Sequence, residues 1–343
     1  MEIQKSSRKR DGMSVDVSEM VGNDAVVTLG EPERAELEAL ARDLLRSAPS
    51  RIDTTEWVER ARDLSTLLPA RLRRTLRRFT RDAGPDAMLL LRNLPGHPDG
   101  LPDTPLAAGS VQRTATVPAA ALALVSLGLG ELVSFREEKQ GALVHDVVPV
   151  PGMEEYQGNA GSVALNMHTE NAFHPFRPDF VGLMCLRNDH ADIAGLRVAS
   201  VRRALPLLDD ADRALLHQPR YVTAAPASFG EGQGLPEAVG VLSGSPDDPD
   251  ITVDFTSTTP LDDEAAAALA RLRTAIDRVT TTLILAPGDL AFVDNRLALH
   301  GRNSFQPRYD GRDRWLQRAF VHRDLRRSRA LRPADGPVVH GTP

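Results

Sequence analysis

Short apolar segments, each bounded by glycine, proline, aspartate or asparagine, follow one another through the second half of the chain. Their length and their turn-forming boundaries are typical of strands that fold back on one another. A chain with this many short strands is predicted to close them into a barrel or a double-sheet jelly roll. The segments are GALVHDVVPVP, DFVGLMCLRN, GLRVASV, RYVTAAP, DITVDFTS, TTLILAPG, DLAFVDNRLALHG and RWLQRAFVHRDL.

The first part of the chain is mostly helical in pattern. Apolar residues recur at helical spacing from Glu31 and from Thr55, and Pro69 is expected to divide the second stretch into two helices. The run 87–95 predicts the first buried strand. Further helices are predicted at 116–130, 201–218 and 261–279. The predicted fold class is therefore α+β, with a double-stranded β-helix core of the jelly-roll, cupin-like kind flanked by helices.

The chain is predicted to contain one folded unit. Residues 1–25 are expected to form a flexible tail and residues 26–343 a single domain, because no linker or internal repeat divides the latter. Within that domain, the glycine-rich stretch APASFGEGQGLPEAVG, at about 225–240, has the length and composition of an active-site lid.

Charge and cysteine content argue against several classes of partner. A formal net charge of −6 disfavours nucleic acid, which requires a basic face. The single cysteine, Cys185, excludes an intramolecular disulfide and fits a reducing compartment. The N-terminus lacks the apolar core of a signal peptide, and no window reaches the length of a membrane span. We therefore expect a cytoplasmic protein without a membrane partner.

Two histidines and one glutamate are candidates for a metal site. His168 and Glu170 are separated by one residue, so on a strand they point the same way. Two imidazoles and one carboxylate on one face are the ligand set of mononuclear iron sites that leave positions open. His300, after the strand–turn–strand pattern late in the core, is the candidate third ligand. His174 is a local rival, but Pro175 and the surrounding aromatic residues favour a role in shaping the pocket.

Arg314 and Arg318 are predicted to lie on one face of a late strand, with Trp315 and Gln317 on the other. Inward-facing arginines are costly to bury unless they meet anions. Guanidinium groups bind carboxylates bidentately, so this pair suggests two small molecules that each carry a carboxylate. The alternative is a surface strand with solvated arginines.

His168-Thr-Glu170, the late LHGRNSF and PRYDGRDRWLQRAFV together resemble the clavaminate synthase-like group of iron(II)/2-oxoglutarate oxygenases. The resemblance covers nearly the whole chain, including residues 138–162 and 168–187. It is strongest to members that hydroxylate free L-asparagine for nonribosomal peptide synthesis. It implies iron ligands at His168, Glu170 and His300.

The same resemblance implies roles for five further residues. Arg314 would hold the far carboxylate of 2-oxoglutarate, and Arg318 the α-carboxylate of the substrate. The remaining three would bind the substrate ammonium, make a further substrate contact, and receive the asparagine amide; they are Glu138, Asn159 and Asp254 respectively. A threonine that helps to hold 2-oxoglutarate in clavaminate synthase has no obvious counterpart in AGLRVAS.

The implied reaction is hydroxylation of C3, the β-carbon, coupled to conversion of 2-oxoglutarate and O₂ to succinate and CO₂. Glu170 favours hydroxylation over halogenation, because iron halogenases lack that carboxylate. Thr256, where relatives that act on arginine carry a second acid, argues against a large cationic substrate. The resemblance also implies a link to antibiotic biosynthesis through a nonribosomal peptide synthetase.

Other interpretations remain open at the level of sequence. The same chemistry could act on glutamine, glutamate, lysine or arginine, or on an amino acid bound to a carrier protein. The same ligands could hold zinc in a cupin-like hydrolase or binding protein, although such a protein has no need of Arg314 and Arg318. A non-enzymatic relative is a further alternative, which the intact ligand set disfavours.

Overall fold

A computed structural model of the chain describes residues 25–48, 51–96, 100–226, 229 and 237–341. The predicted tail lies almost wholly outside the described residues, as does most of the predicted lid. Apolar side chains from both main sheets and from the N-terminal helices form one continuous core. No helix in the described ranges has both the length and the apolar character needed to cross a membrane.

The larger sheet has eight strands and is mixed in direction. Its strands are β1 (Val26–Thr28), β2 (Met88–Arg92), β3 (Glu131–Phe135), β4 (His145–Val147), β6 (Phe180–Arg187), β13 (Leu290–Asp294), β15 (Trp315–His322) and β16 (Val338–Val339). Six of them lie in the order β1–β2–β13–β6–β15–β3, with β16 beyond β3 and with β4 beside the first half of β15. The pairs β1–β2 and β3–β16 are parallel, and the others are antiparallel.

The smaller sheet contains the two strands that carry His168 and His300. Its order is β12–β7–β14–β5, from β5 (Leu165–His168), β7 (Leu196–Ser200), β12 (Thr281–Leu283) and β14 (Ala298–Arg302). Two antiparallel pairs stand apart from both sheets. They join β8 (Tyr221–Thr223) to β11 (Thr258–Pro260), and β9 (Leu242–Ser245) to β10 (Asp248–Ile251).

Helices flank the sheets as expected. They are α1 (Glu31–Ser47), α2 (Thr55–Ser65), α3 (Ala70–Arg81), α4 (Val117–Leu127), α5 (Val201–Ala204), α6 (Asp210–Leu216) and α7 (Asp263–Val279). Pro69 is the N-cap of α3, so it divides the second helical stretch as predicted. Residues 118–126 of α4 are all buried, because this helix contacts α1 and α2 as well as β6 and β15.

The architecture agrees with the predicted jelly-roll core flanked by helices, but two details differ. The run 87–95 does contain a buried strand, yet β1 precedes it and pairs with it in parallel at the sheet edge. β3 follows α4 after only three residues, 128–130, which the sequence pattern assigns to the helix. Cys185 is fully buried on β6, as expected of a packed thiol, and burial raises its pKa to about 12.

Candidate functional site

A cavity of about 540 Å³ is lined by residues of both sheets and of the connecting loops. All eight residues predicted for the site line it: Glu138, Asn159, His168, Glu170, Asp254, His300, Arg314 and Arg318. They come from segments far apart in sequence, so the fold brings together what the motifs only suggested.

His168 and His300 are direct cross-strand partners on β5 and β14. Their ring centroids are 4.4 Å apart, and Glu170 lies just beyond the end of β5 with its Oε2 3.3 Å from Nε2 of His300. One potential ligand atom from each of the three residues lies within 4.8 Å of the others. The backbone therefore converges two imidazoles and one carboxylate on a common point.

The donor set suits a divalent cation. Nδ1 of His168 lies 2.9 Å from the carbonyl oxygen of Asn166, so a proton there leaves Nε2 as the free donor atom. Glu170 Oε2 is buried and accepts no hydrogen bond from the described residues. Burial would raise the pKa of Glu170, but the charge of Arg318 and the neighbouring imidazoles lower it, so the carboxylate is ionised. Burial lowers the pKa of His300, which keeps its imidazole neutral. Neutral imidazoles and an ionised carboxylate are the forms that bind metal.

Arg318 is the centre of a buried charge network. Its Nη1 donates to Glu170 Oε1 at 2.9 Å, and its Nη2 donates to Glu138 Oε1. Nη2 also lies 2.9 Å from Nδ1 of His145, and the amide oxygen of Asn159, turned towards the guanidinium, accepts from Nη1 and Nη2 at 3.2 Å each. Only 4% of this residue is exposed, which excludes the alternative of a solvated strand arginine.

His145 was given no role by the sequence, yet it contacts Arg318. Burial, and then the charge of Arg318, holds the pKa of His145 well below its usual value. The neutral ring donates from Nε2 to the carbonyl of Ala142 at 2.9 Å, which leaves Nδ1 to accept from the guanidinium. Its sequence neighbours gave no signal, because the contact joins β4 to β15.

Arg314 is also only 4% exposed, but its surroundings differ. Within the described part of the chain it has no carboxylate in an ion pair, and burial lowers its pKa to about 10. Arg302 lines the same cavity, and burial followed by the charge of Arg314 lowers its pKa to about 9. Both guanidinium groups lie near the ring of Phe305, at 5.1 Å for Arg302 and 5.9 Å for Arg314. Two buried cations without an acid between them form a site for an anion.

Arg302 was not among the predicted site residues. The signal was present, because it lies two positions after His300 on the same strand and so shares its face. One of its nitrogens, Nη2, donates to the carbonyl of Val163 at 2.9 Å.

Asp254 also lines the cavity, and its backbone forms an isolated antiparallel bridge with that of His168. Its Oδ1 accepts from the backbone N–H of Thr256 at 2.8 Å, and its Oδ2 accepts from the hydroxyl of Ser257 at 2.9 Å. The carboxylate is thus held in a fixed direction and retains further lone pairs.

His174 is buried beneath an aromatic cluster and does not join the metal-site residues. Its ring packs at 4.8 Å from Phe135 and 6.2 Å from Phe229, and its Nε2 lies 3.1 Å from the carbonyl of Gly341. Phe173 and Phe229 of this cluster line the cavity, so His174 supports the wall from behind.

Comparison with known proteins supplies a family. Residues 118–320 match the model of the taurine catabolism dioxygenase TauD, TfdA family. L-Asparagine oxygenase of Streptomyces coelicolor is 53% identical over 318 residues, which are 92% of this chain and 95% of that protein. Clavaminate synthase 2 of Streptomyces clavuligerus is 36% identical over 297 residues, covering 85% and 91% of the two chains.

A solved structure resembles this one over almost its whole length. It is an asparagine oxygenase in complex with Fe(II), 2S,3S-3-hydroxyasparagine and succinate. It is 52% identical in sequence, with a TM-score of 0.90, over 93% of this chain and 100% of that one. The similarity therefore extends from the helices to the strands that carry the site.

Proposed function

This chain belongs to the TauD/TfdA dioxygenase family, and we propose that it hydroxylates C3 of free L-asparagine with iron(II), 2-oxoglutarate and O₂. One observation carries the proposal. The converging ligand atoms of His168, Glu170 and His300 share a cavity with an oppositely charged pair, Arg318 and Glu138. The first group suits a metal, and the second suits a zwitterionic amino acid.

We assign iron(II) to His168, Glu170 and His300. The orphaned Glu170 Oε2 and the two adjacent imidazoles support this assignment, because one ligand atom from each residue lies within 4.8 Å of the others. Iron bound there would supply, with O₂ and 2-oxoglutarate, the oxidising chemistry that C–H hydroxylation requires. The protein's part is to hold the two organic molecules beside it and to keep water out.

We assign the distal carboxylate of 2-oxoglutarate to Arg314. Its guanidinium is buried, faces the cavity and lacks an acidic partner in the described ranges, so an incoming carboxylate would remove the cost of burying it. Arg302 adds a second positive charge beside it. This second positive charge would attract the 2-oxoglutarate carboxylate, and so would compensate for the missing threonine that helps to hold 2-oxoglutarate in clavaminate synthase.

We assign the α-carboxylate and ammonium groups of the amino-acid substrate to Arg318, Glu138 and Asn159. Arg318 would take the α-carboxylate, Glu138 the ammonium group, and Asn159 a further hydrogen bond. Since Arg318 donates to Glu170 at 2.9 Å, a carboxylate bound to Arg318 lies close to the metal ligands. The β-carbon, two bonds from that carboxylate, then lies within reach of the metal.

We assign the side-chain amide of asparagine to Asp254. An ionised carboxylate accepts N–H bonds from an amide and repels the carboxylate of an aspartate substrate. The bonds from Thr256 and Ser257 fix its direction, as a selective contact requires. Lysine and arginine remain alternatives, since their cationic ends would also bind Asp254.

We further propose that residues at about 225–240 form a lid. Ala225, Pro226 and Phe229 line the cavity, and the ring of Phe229 lies 4.7 Å from that of Phe173, which supports the proposal.

We also propose a cytoplasmic enzyme whose product supplies a nonribosomal peptide synthetase that makes an antibiotic. A carrier-bound amino acid has no free α-carboxylate for Arg318, because that group forms the thioester, so the proposed contact favours a free amino acid.

A panel of substrates tests the proposal. The enzyme is loaded anaerobically with iron(II) and 2-oxoglutarate, and each of asparagine, glutamine, aspartate, lysine and arginine is added with O₂. Asparagine should yield stoichiometric succinate and a product with one more oxygen. If another amino acid alone is oxidised, the substrate assignment is wrong but the oxygenase remains. If no amino acid of the panel stimulates succinate formation, none of them is the free substrate, and glutamate and a carrier-bound amino acid are tested next.

A further inference from the structure

Asn295 lies in the turn between β13 and β14 and is fully buried. Its Oδ1 accepts from the backbone N–H of Glu170 at 2.8 Å. Its Nδ2 donates to the carbonyl of Glu170 at 3.1 Å and to that of Pro178 at 2.9 Å. One side chain therefore binds both backbone groups of the carboxylate residue in the metal site.

The sheet does not hold Glu170 in place. β5 ends at His168, and Thr169 makes the last strand-like contact, to the carbonyl of Val253 at 2.7 Å. Glu170 follows in a turn, and none of the strands in the described ranges bonds to its backbone. The side-chain amide of Asn295 makes the hydrogen bonds to the Glu170 backbone that a neighbouring strand would otherwise make.

Asn295 also begins the connection that leads into β14, the strand of His300. Its own backbone N–H donates to the carbonyl of Asp179 at 2.8 Å, and the turn closes through a bond from Leu297 to the carbonyl of Asp294 at 3.1 Å. The turn that presents His300 is thus bonded directly to the turn that presents Glu170.

We propose that Asn295 is a positioning residue that fixes the Glu170 carboxylate relative to the His300 imidazole and so sets the affinity for a divalent metal. The proposal rests on the assignment of these two residues as metal ligands. It requires the chemistry of a carboxamide, because two carbonyls need donors and one N–H needs an acceptor. An aspartate of the same shape would place a charged oxygen against two carbonyls.

Asn295→Asp and Asn295→Ala test this proposal without any turnover. The metal-free variants are titrated anaerobically with Co(II), whose visible absorption reports both binding and ligand geometry. Both variants should bind about 10- to 100-fold more weakly than the natural protein, as loss of outer-shell partners does elsewhere, with an altered absorption spectrum. Equal affinity and an unchanged spectrum in folded variants would overturn the proposal.

A matched control separates positioning from general stability. Asp212→Asn makes a change of similar size at a buried carboxylate of α6 that pairs with the half-exposed Arg271 of α7. It should lower the melting temperature yet leave Co(II) affinity as it is. If Asn295→Asp does not fold, Asn295→Ser, which keeps one donor and one acceptor, is titrated in its place. If the natural protein itself binds no Co(II), the metal site of the proposed function fails as well.

Discussion

Arg318 and Glu170 are joined by a buried hydrogen bond of 2.9 Å, although the sequence suggests separate roles for them. The same guanidinium donates to Glu138, so one cation connects the proposed metal ligand with the proposed ammonium site. An amino acid that binds between Arg318 and Glu138 is therefore placed relative to the metal by the protein's own charges. Binding of the amino acid's ammonium and carboxylate groups therefore also sets where its reacting carbon lies.

Replacement of Arg318 by lysine should weaken asparagine binding. Lysine keeps the positive charge but loses the two-pronged donor that faces Glu170, Glu138 and a carboxylate together. Loss of a charged hydrogen bond of about 1.5–3 kcal/mol corresponds to a fall of about 10- to 100-fold in kcat/KM for asparagine. The KM for 2-oxoglutarate should change little. An unchanged kcat/KM for asparagine would remove Arg318 from the substrate site.

Arg314→Met should raise the Kd for 2-oxoglutarate by about 10- to 100-fold, because a buried carboxylate would lose its cation. Arg312→Met is the matched control, since Arg312 is exposed two residues earlier on the same segment. Isothermal titration with 2-oxoglutarate, in the presence of a non-reactive divalent metal, measures both. Equal binding by the two variants would contradict the assignment.

Asp254→Asn should reduce selectivity for asparagine and admit aspartate. The carboxylate no longer repels an acidic side chain, and the amide offers a donor in its place. Competition between asparagine and aspartate, followed by product mass, gives the ratio of kcat/KM values. Asp247→Asn, at the exposed turn between β9 and β10, should leave that ratio unchanged. If Asp254→Asn also leaves it unchanged, Asp254 does not contact the substrate side chain.

Stability should fall on acidification through a buried histidine away from the site. Burial, then the charge of Arg327, lowers the pKa of His322 from 6.5 to about 4. Below pH 6.5 His322 binds a proton in the unfolded chain, whereas in the folded protein it stays neutral down to about pH 4. The free energy of unfolding therefore decreases as the pH falls from 6.5 to about 4, and it does not depend on His322 protonation above that range.

Urea unfolding of the natural protein and of His322→Gln measures this effect. Other titrating groups are common to both proteins, so the difference in their free energies of unfolding isolates His322. The advantage of the natural protein should shrink between about pH 7.5 and about pH 5. A difference that does not vary with pH would show that His322 titrates normally.

The jelly-roll core could be predicted because alternation and turn residues are local properties. β13, β14 and β15 begin and end within a few residues of the segments that predicted them. The parallel edge strand β1 could not be predicted, because three residues offer little pattern and its partner β2 is about sixty residues away. β3 was overlooked for a similar reason, since it follows α4 after only a short turn.

Within the site, residues in motifs were accessible to sequence reasoning and residues that act through packing were not. His168, Glu170 and Arg314 stand in recognisable patterns. His145 and Asn295 make their contacts across more than a hundred residues, and each stands in an ordinary local sequence. Only the fold shows that His145 accepts from Arg318 and that Asn295 binds Glu170.

Oxidation of asparagine deuterated at both C3 positions tests the central claim most directly. The natural protein is supplied with iron(II), 2-oxoglutarate and O₂, and the mass of the product is compared with that of the labelled substrate. We predict that the product gains one oxygen and loses one of its two deuterium atoms, with one succinate formed for each product. A product that keeps both deuterium atoms, or the absence of any oxygenated asparagine, would contradict the account.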